Sequence, residues 1–277
     1  MTATQKSVLI TGCSTGIGYH AARILLGRGW RVFATARRPE DVERLRGEGF
    51  ETFCLDLDCN DSIHGALALI LSLTQGRLDA LFNNGAYGQP GAMEDLSREA
   101  LRQQFETNVF GTHELTRLVV PVMRRQGGGR IVQNSSILGF VALPYRGAYV
   151  ASKFALEGLT QAMRLELRGS GIHFSLIQPG SINTPFRNNA RKAFLKNISV
   201  EVSPHKNNYG RWLDEREKNL SEGWFSLPPE AVVKKVVHAL ESPRPRLRYG
   251  VTVTTHVAVV LRRVLTVRML DWFLARG

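Results

Sequence analysis

A short apolar run, Lys6-Ser7-Val8-Leu9-Ile10-Thr11, passes directly into Gly12-Cys13-Ser14-Thr15-Gly16-Ile17-Gly18, and Ala21 to Leu26 then reads as a helix. The first segment has the composition of a strand. The glycines allow a tight turn, and a helix starts with backbone N–H groups that have no partner within it. Strand, glycine turn and helix start together form the phosphate cradle of a dinucleotide fold. Glycine lets the backbone approach a pyrophosphate, and the helix end attracts its charge. The spacing is G-x-x-x-G-x-G rather than the commoner G-x-G-x-x-G, and an ordinary glycine-rich turn has the same composition. A second signal is therefore needed.

That signal is Tyr149-Val150-Ala151-Ser152-Lys153. On a helix, positions i and i+4 share a face, so phenol and ammonium sit side by side. A phenol with a pKa near 10 is a poor base at neutral pH, and a neighbouring cation stabilises its anion. The expectation is a Tyr acidified by Lys153 and able to shuttle a proton. A bare Y-x-x-x-K is common, so the pair carries weight only together with the glycine turn.

The two motifs together resemble the classical short-chain dehydrogenase/reductase family. Asn83-Asn84 follows the apolar strand Leu78 to Phe82, at the place of the family's N-N-A-G motif. Asn108, in Thr107-Asn108-Val109-Phe110-Gly111, matches the helix Asn of its catalytic tetrad. Ser136 precedes Tyr149 by thirteen residues, with Ser135 as an alternative on the same strand. Pro179-Gly180 and then Thr184 match the P-G-x-x-x-T segment after the sixth strand. The match is good over residues 6–187 and looser beyond. One departure is Asn83-Asn84-Gly85-Ala86, where Ala and Gly are exchanged; a position needing φ > 0 would strain Ala86, with Gly88 nearby to supply freedom.

The resemblance implies a single-domain α/β fold of Rossmann type, a doubly wound parallel sheet of about seven strands in the order 3-2-1-4-5-6-7. It also implies roles. Tyr149 gives its proton to a carbonyl oxygen, Lys153 lowers the Tyr pKa and holds the nicotinamide ribose, Ser136 holds the oxygen, and Asn108 holds a relay water. Gly12, Ser14, Thr15, Gly16, Ile17, Gly18, Asn84, Pro179, Gly180, Ile182 and Thr184 would bind the cofactor together with Tyr149 and Lys153. Asp56 resembles the residue that receives the adenine amino group. The sequence is most similar to a bacterial branch that reduces aldehydes and is itself similar to 17β-hydroxysteroid and retinol dehydrogenases. An alcohol, steroid or retinoid dehydrogenase working oxidatively is the alternative. A catalytically silent cofactor sensor is another, but such proteins typically lose the Tyr or Lys that this chain keeps.

The second strand, Arg31 to Thr35, ends in Ala36-Arg37-Arg38, and no Asp or Glu occurs between Gly18 and Glu40. In dinucleotide folds this strand end faces the adenosine ribose, where an acid suits NAD and a cation suits the 2′-phosphate of NADP. A guanidinium fork binds phosphate with two hydrogen bonds, so NADP(H) is expected, with Arg37 as the main contact and Arg38 in support.

A coarse pass places strands at 6–11, 31–35, 50–55, 78–82, 130–135 and 172–177. Helices fall at 17–28, 40–47, 61–75, 97–107, 109–125 and 148–168, an alternation that predicts a parallel sheet covered on both faces. Residues 185–227 are less regular and carry Phe186, Phe194, Tyr209, Trp212, Trp224 and Phe225. They are expected to form a substrate flap that lines an apolar pocket, packs onto the body, or does both. Residues 228–277 hold a helix from Pro228 or Pro229 to about Glu241, then a basic amphipathic tail.

At 277 residues the chain has the length of one domain, residues 1–277. Cys13, Cys54 and Cys59 form neither a disulfide framework nor a zinc spacing, and free thiols fit the cytoplasm. Residues 1–5 have neither the charge nor the apolar stretch of a leader, so none is expected, and no 18-residue apolar run occurs. Seven histidines show no metal spacing. Net charge is +12, from 36 basic and 24 acidic residues. Residues 234–277 contribute +7 of it, as nine Lys/Arg less two Asp/Glu. Neither stacking aromatics nor a helix-turn-helix pattern accompanies that charge, so nucleic acid is not expected. Attraction of an anionic cofactor or a membrane surface explains it more simply. The tail can lie on anionic lipid, form subunit contacts or pack back on the domain; the resemblance implies a homo-oligomer acting on a small apolar carbonyl or alcohol.

Overall fold

Val8 and Ile10 point to one side of the first strand and Leu9 to the other, and all three are fully buried. A strand apolar on both faces belongs inside a sheet covered on both sides. The computed structural model, which describes residues 5–218 and 226–275 (without the side chains of residues 212 and 214–218), places it there. Seven parallel strands, β1 (Ser7–Ile10), β2 (Arg31–Ala36), β3 (Glu51–Cys54), β4 (Ala80–Asn83), β5 (Gly129–Asn134), β6 (Ile172–Gln178) and β7 (Arg248–Gly250), stand in the order 3-2-1-4-5-6-7. Val8 pairs with Val32 on one side and Ala80 on the other.

Helices cover both faces. On one lie α1 (Gly16–Gly27), α2 (Pro39–Gly47) and α9 (Pro229–Glu241), whose Ala21, Leu25, Leu45, Val232 and Val236 close over Val8, Ile10 and Val32. On the other, α3 (Asn60–Leu73) and α5 (Thr112–Arg125) bury Ile63, Leu67, Ile70, Leu115 and Val119 against Leu9, Phe33, Leu81 and Ile131. Each such side chain is worth ~1.5–3 kcal/mol of transfer free energy, so the sheet is held from both sides rather than by its ladder alone.

Several expected boundaries change. The helices expected at 97–107 and 109–125 are α4 (Arg98–Phe105) and α5, joined by a π-helical turn over Glu106–Gly111 that carries Asn108. The flap is more regular than expected: α7 (Phe186–Asn197) and α8 (Lys206–Lys218) fill most of its described part. Phe194 and Tyr209 are buried with Ala92 and Ile198, so they pack the flap onto the body. Among the described flap aromatics, Phe186 lies against Tyr149, ring centroids 5.5 Å apart. Trp224, Phe225 and the side chain of Trp212 lie outside the described residues. The tail is two helices, α10 (Val253–Val264) and α11 (Val267–Leu274), following α6 (Gly147–Glu166) and α9 in the chain.

Candidate active site

Four adjacent strands, β1, β4, β5 and β6, end at the same edge of the sheet, and their next residues are Thr11-Gly12, Asn84-Gly85, Ser135-Ser136 and Pro179-Gly180. The strand order reverses between β1 and β4, and such a switch point opens a crevice beyond the strand ends. A cleft of about 410 Å³ lies there. It is lined by Gly12, Ser14, Thr15, Gly16, Ile17, Asn84, Ser136, Tyr149, Lys153, Pro179, Gly180, Ile182 and Thr184 from among the expected site residues. Gly18, Arg37, Arg38, Asp56 and Asn108 are outside its walls.

The glycine turn is built for close approach. Gly12 has φ +70°, and a Cβ there would meet Gly85 Cα at 2.8 Å. A Cβ on Gly18 would lie 2.2 Å from the Gly12 carbonyl oxygen, so no side chain fits without reshaping the turn. Thr11 ties the two strand ends together: its Oγ1 accepts from the N–H groups of Asn84 and Gly85 at 3.0 and 2.9 Å. Asn84 Nδ2 returns bonds to the carbonyls of Thr11 and Gly12. Gly85, at the exchanged position, thus takes the tight contact itself. Ala86 is not in the left-handed region, and the strain considered for it is absent. Gly88 has no positive φ, and a Cβ there would sit 3.2 Å from Phe186 Cζ, a tight contact with a side chain.

Helix α1 starts at this turn with no side-chain cap and no acidic residue in its first turn. Its first N–H groups and its dipole therefore face the cleft, an arrangement that fits a phosphate. Arg37 and Arg38 follow β2 and are exposed. Arg38 stands 4.0 Å from Glu40, a loose and exposed pair that leaves its guanidinium accessible. Burial holds the Asp58 carboxyl above its ordinary value, opposed by the Thr107 hydrogen bond and, more weakly, by the Arg37 guanidinium. Asp56 Oδ1 accepts from the N–H of Asp58, a turn that shapes the end of β3.

At the other wall, α6 presents Tyr149 and Lys153 one turn apart. Ser136 hydrogen-bonds the Tyr149 hydroxyl, whereas Ser135 Oγ is buried without a partner. Of the two serines, Ser136 is the one that meets the phenol. The expected acidification of Tyr149 is not found: burial pushes its pKa up to about 12, with the Ser136 bond pulling the other way. The physical reason is the burial of the phenol, and the Lys153 ammonium beside it is engaged elsewhere. Its Nζ lies 5.6 Å from the Tyr149 ring centroid and donates to the Asn134 carbonyl at 2.7 Å. Burial lowers Lys153 itself to about 8, opposed by the charge of Glu157 one turn further along α6. Asn108 is committed within the chain: Oδ1 accepts from Tyr87 N at 3.1 Å, and Nδ2 donates to Tyr87 O and Ser152 Oγ.

Sequence reasoning missed several wall residues. Asn134 binds Lys153 through its carbonyl and Asn84 through its amide, 2.9 Å apart. Leu143, Arg146 and Arg187 also belong to the wall, beside Phe186 of the expected flap. A polar residue ending β5 was a visible signal for Asn134; the others lie in loops and flap, where periodicity says nothing. Among the described residues no cluster of His, Cys, Asp and Glu could hold a metal.

A doubly wound sheet with a glycine cradle at its switch point, facing a hydroxyl pair and a buried lysine, defines a dinucleotide-dependent oxidoreductase. The chain belongs to the short chain dehydrogenase family, whose model matches residues 6–194. It is 43% identical to the uncharacterized oxidoreductase YbbO of Escherichia coli K12, over 96% of this chain and 93% of that one. It is 35% identical to human retinol dehydrogenase 8, over 90% and 82% respectively. Among solved structures, a short-chain dehydrogenase from Streptomyces avermitilis superposes with a TM-score of 0.80 at 28% identity, covering 95% of this chain and 94% of that one. A Burkholderia phymatum relative holding NAD (TM-score 0.78, 24% identity, 98% and 95% covered) has the same fold. So does an actinorhodin polyketide ketoreductase variant holding NADPH (0.72, 26%, 89% and 95%).

Proposed function

We propose that this oxidoreductase reduces aldehyde or ketone carbonyls with NADPH, Tyr149 delivering the proton. The observation that carries the reading is the Ser136–Tyr149 hydroxyl pair, which lines the same cleft as the glycine cradle. When bound, the cofactor supplies a hydride to the carbonyl carbon. Ser136 holds the carbonyl oxygen and steadies the charge that develops on it. Tyr149, protonated through neutral pH, donates to that oxygen and is the general acid. Lys153 holds the ribose side of the site and recharges Tyr149. Asn108, its amide already engaged, serves the relay through the main chain of the π-helical turn rather than through its side chain.

Ile137, Leu138, Leu143, Phe186 and Ala190 give the outer wall apolar surface beside Arg146 and Arg187, which suits a largely apolar substrate. Arg37 supports NADPH over NADH, since no carboxylate stands between Gly18 and Glu40 to take a ribose hydroxyl. The retinol dehydrogenase relative favours a second reading, the same machinery run toward alcohol oxidation; a reduced NADP pool favours reduction.

NADPH oxidation measured across aldehydes of graded chain length, steroids and retinal tests the reading. Turnover should rise with apolar length and exceed that with NADH. Arg37→Asp should shift the NADPH/NADH preference by roughly 10- to 100-fold, the worth of a charged hydrogen bond. An unchanged ratio would remove Arg37 from the 2′-phosphate, and no turnover on any carbonyl would reject the reductase assignment.

A further inference from the structure

Helix α10 carries Val253, Val257, Val260 and Val264, spaced by four, three and four residues. That spacing puts them on one stripe, and they are 71%, 47%, 59% and 75% exposed. The inner side of the same helix, Thr255 and Ala258, is buried. On α11, Val267, Met269, Trp272 and Phe273 are each more than half exposed. Two consecutive helices with this much apolar surface form an interaction face, because isolated exposed residues do not line up in this way.

The charge on that face selects the partner. Arg262, Arg263 and Arg268 are exposed on these helices, and Asp271 is the single acidic residue within 253–274. A second copy docked across a two-fold axis would set this cationic face against its own image. An anionic lipid surface instead neutralises the arginines while taking the valines and aromatics into its interface. No helix among the described residues is long and apolar enough to cross a membrane, so the contact is with the surface.

The inner faces of the pair reach the cleft. Ala258 is buried with Leu138, Val141 and Val150, and Leu274 and Tyr149 pack on the same cluster. Arg262 lies over the Phe154 ring of α6, 5.9 Å from its centroid. We infer that α10 and α11 are a docking surface for an anionic bilayer, set beside the cleft so that it receives carbonyl substrates dissolved in the lipid. The docking stands on the helix pair alone; the choice of lipid-dissolved substrate rests on the reductase reading above.

Co-sedimentation of the full chain with phosphatidylcholine vesicles, with and without phosphatidylglycerol, tests it. The protein should pellet with anionic vesicles and far less with neutral ones. Arg263→Gln with Arg268→Gln should weaken partitioning roughly 30-fold, at the usual worth of a cation near such a surface. Val260→Asp with Val264→Asp should abolish it, thermal unfolding serving as the check that both double variants fold. Equal pelleting with both vesicle types, or by the Asp variant and the parent, overturns the docking. So does a dimer in sedimentation velocity that this Asp variant splits, which would put a second copy on the face. Vesicle binding without turnover would sink the reductase reading only, and turnover of soluble aldehydes without vesicle binding the docking only.

Discussion

Lys153 is 3% exposed and has one hydrogen bond, to the Asn134 carbonyl, which is little compensation for burying an ammonium. Its pKa falls from 10.5 to about 8, a preference for the neutral form of ~3 kcal/mol. Below pH 8 both folded and unfolded chains carry the proton, and the folded state bears the full cost. Between about pH 8 and 10.5 the unfolded chain binds more protons, so this residue's contribution to stability rises with pH. Lys153→Met should therefore stabilise the fold at pH 7 by ~1–2 kcal/mol, after ~1 kcal/mol for the lost bond, while abolishing turnover. Denaturant unfolding should show that advantage narrowing towards pH 10.5; an advantage independent of pH would refute the buried-charge account. Tyr149 has the opposite shift, and its value of about 12 keeps it a proton donor at neutral pH.

The flap is fastened to the body as an element, and by polar contacts more than by its own helicity. Tyr209 of α8 donates to Asp95 Oδ2 at 2.5 Å and accepts from Ala92 N at 2.7 Å. Ser203 also donates to Asp95, and these two bonds hold that carboxyl below its ordinary range. His205 reaches Glu94, and Asn208 donates to the hydroxyl of Tyr145, a residue at φ +60° that leads into α6. Tyr209→Phe leaves a buried N–H without a partner, a cost of ~1–3 kcal/mol. Amide exchange should accelerate in α7 and α8 with β1 and β4 unchanged; uniform acceleration would mean the flap is not a separate unit. Asp95 fastens the flap above the ordinary carboxylate pKa, and the contact weakens as acid titrates it. Packing of the flap onto the body was one of the readings the sequence offered for Tyr209, but these polar contacts were not legible in it. Lys206-Asn207-Asn208 opens a helix whose polarity hides its period, and the partners of Tyr209 lie more than a hundred positions upstream.

At the scale of the whole molecule, function depends on strand ends that meet although they are far apart in the chain. The glycine turn and the Tyr149–Lys153 pair were legible because each is local: a φ requirement and one helical turn. The six longer strands were legible from apolar runs between turn signals, within a residue or two. The three-residue β7 was not, since Arg248–Gly250 is too short to have a period. The π-helical turn at Asn108 was hidden because an inserted residue changes backbone pairing without changing composition. The direction of Lys153 was hidden too, because spacing brings it beside Tyr149 without saying which acceptor it takes.

The central claim is that a hydroxyl on α6 hands a proton to a carbonyl held opposite the cradle at the ends of β1 and β4. Tyr149→Phe keeps the ring against Phe186 and removes only that oxygen. Steady-state NADPH oxidation and NADPH titration on this one variant decide the matter. Turnover should fall by several orders of magnitude while cofactor affinity stays within about threefold; a variant that reduces aldehydes at the parent rate would contradict the account.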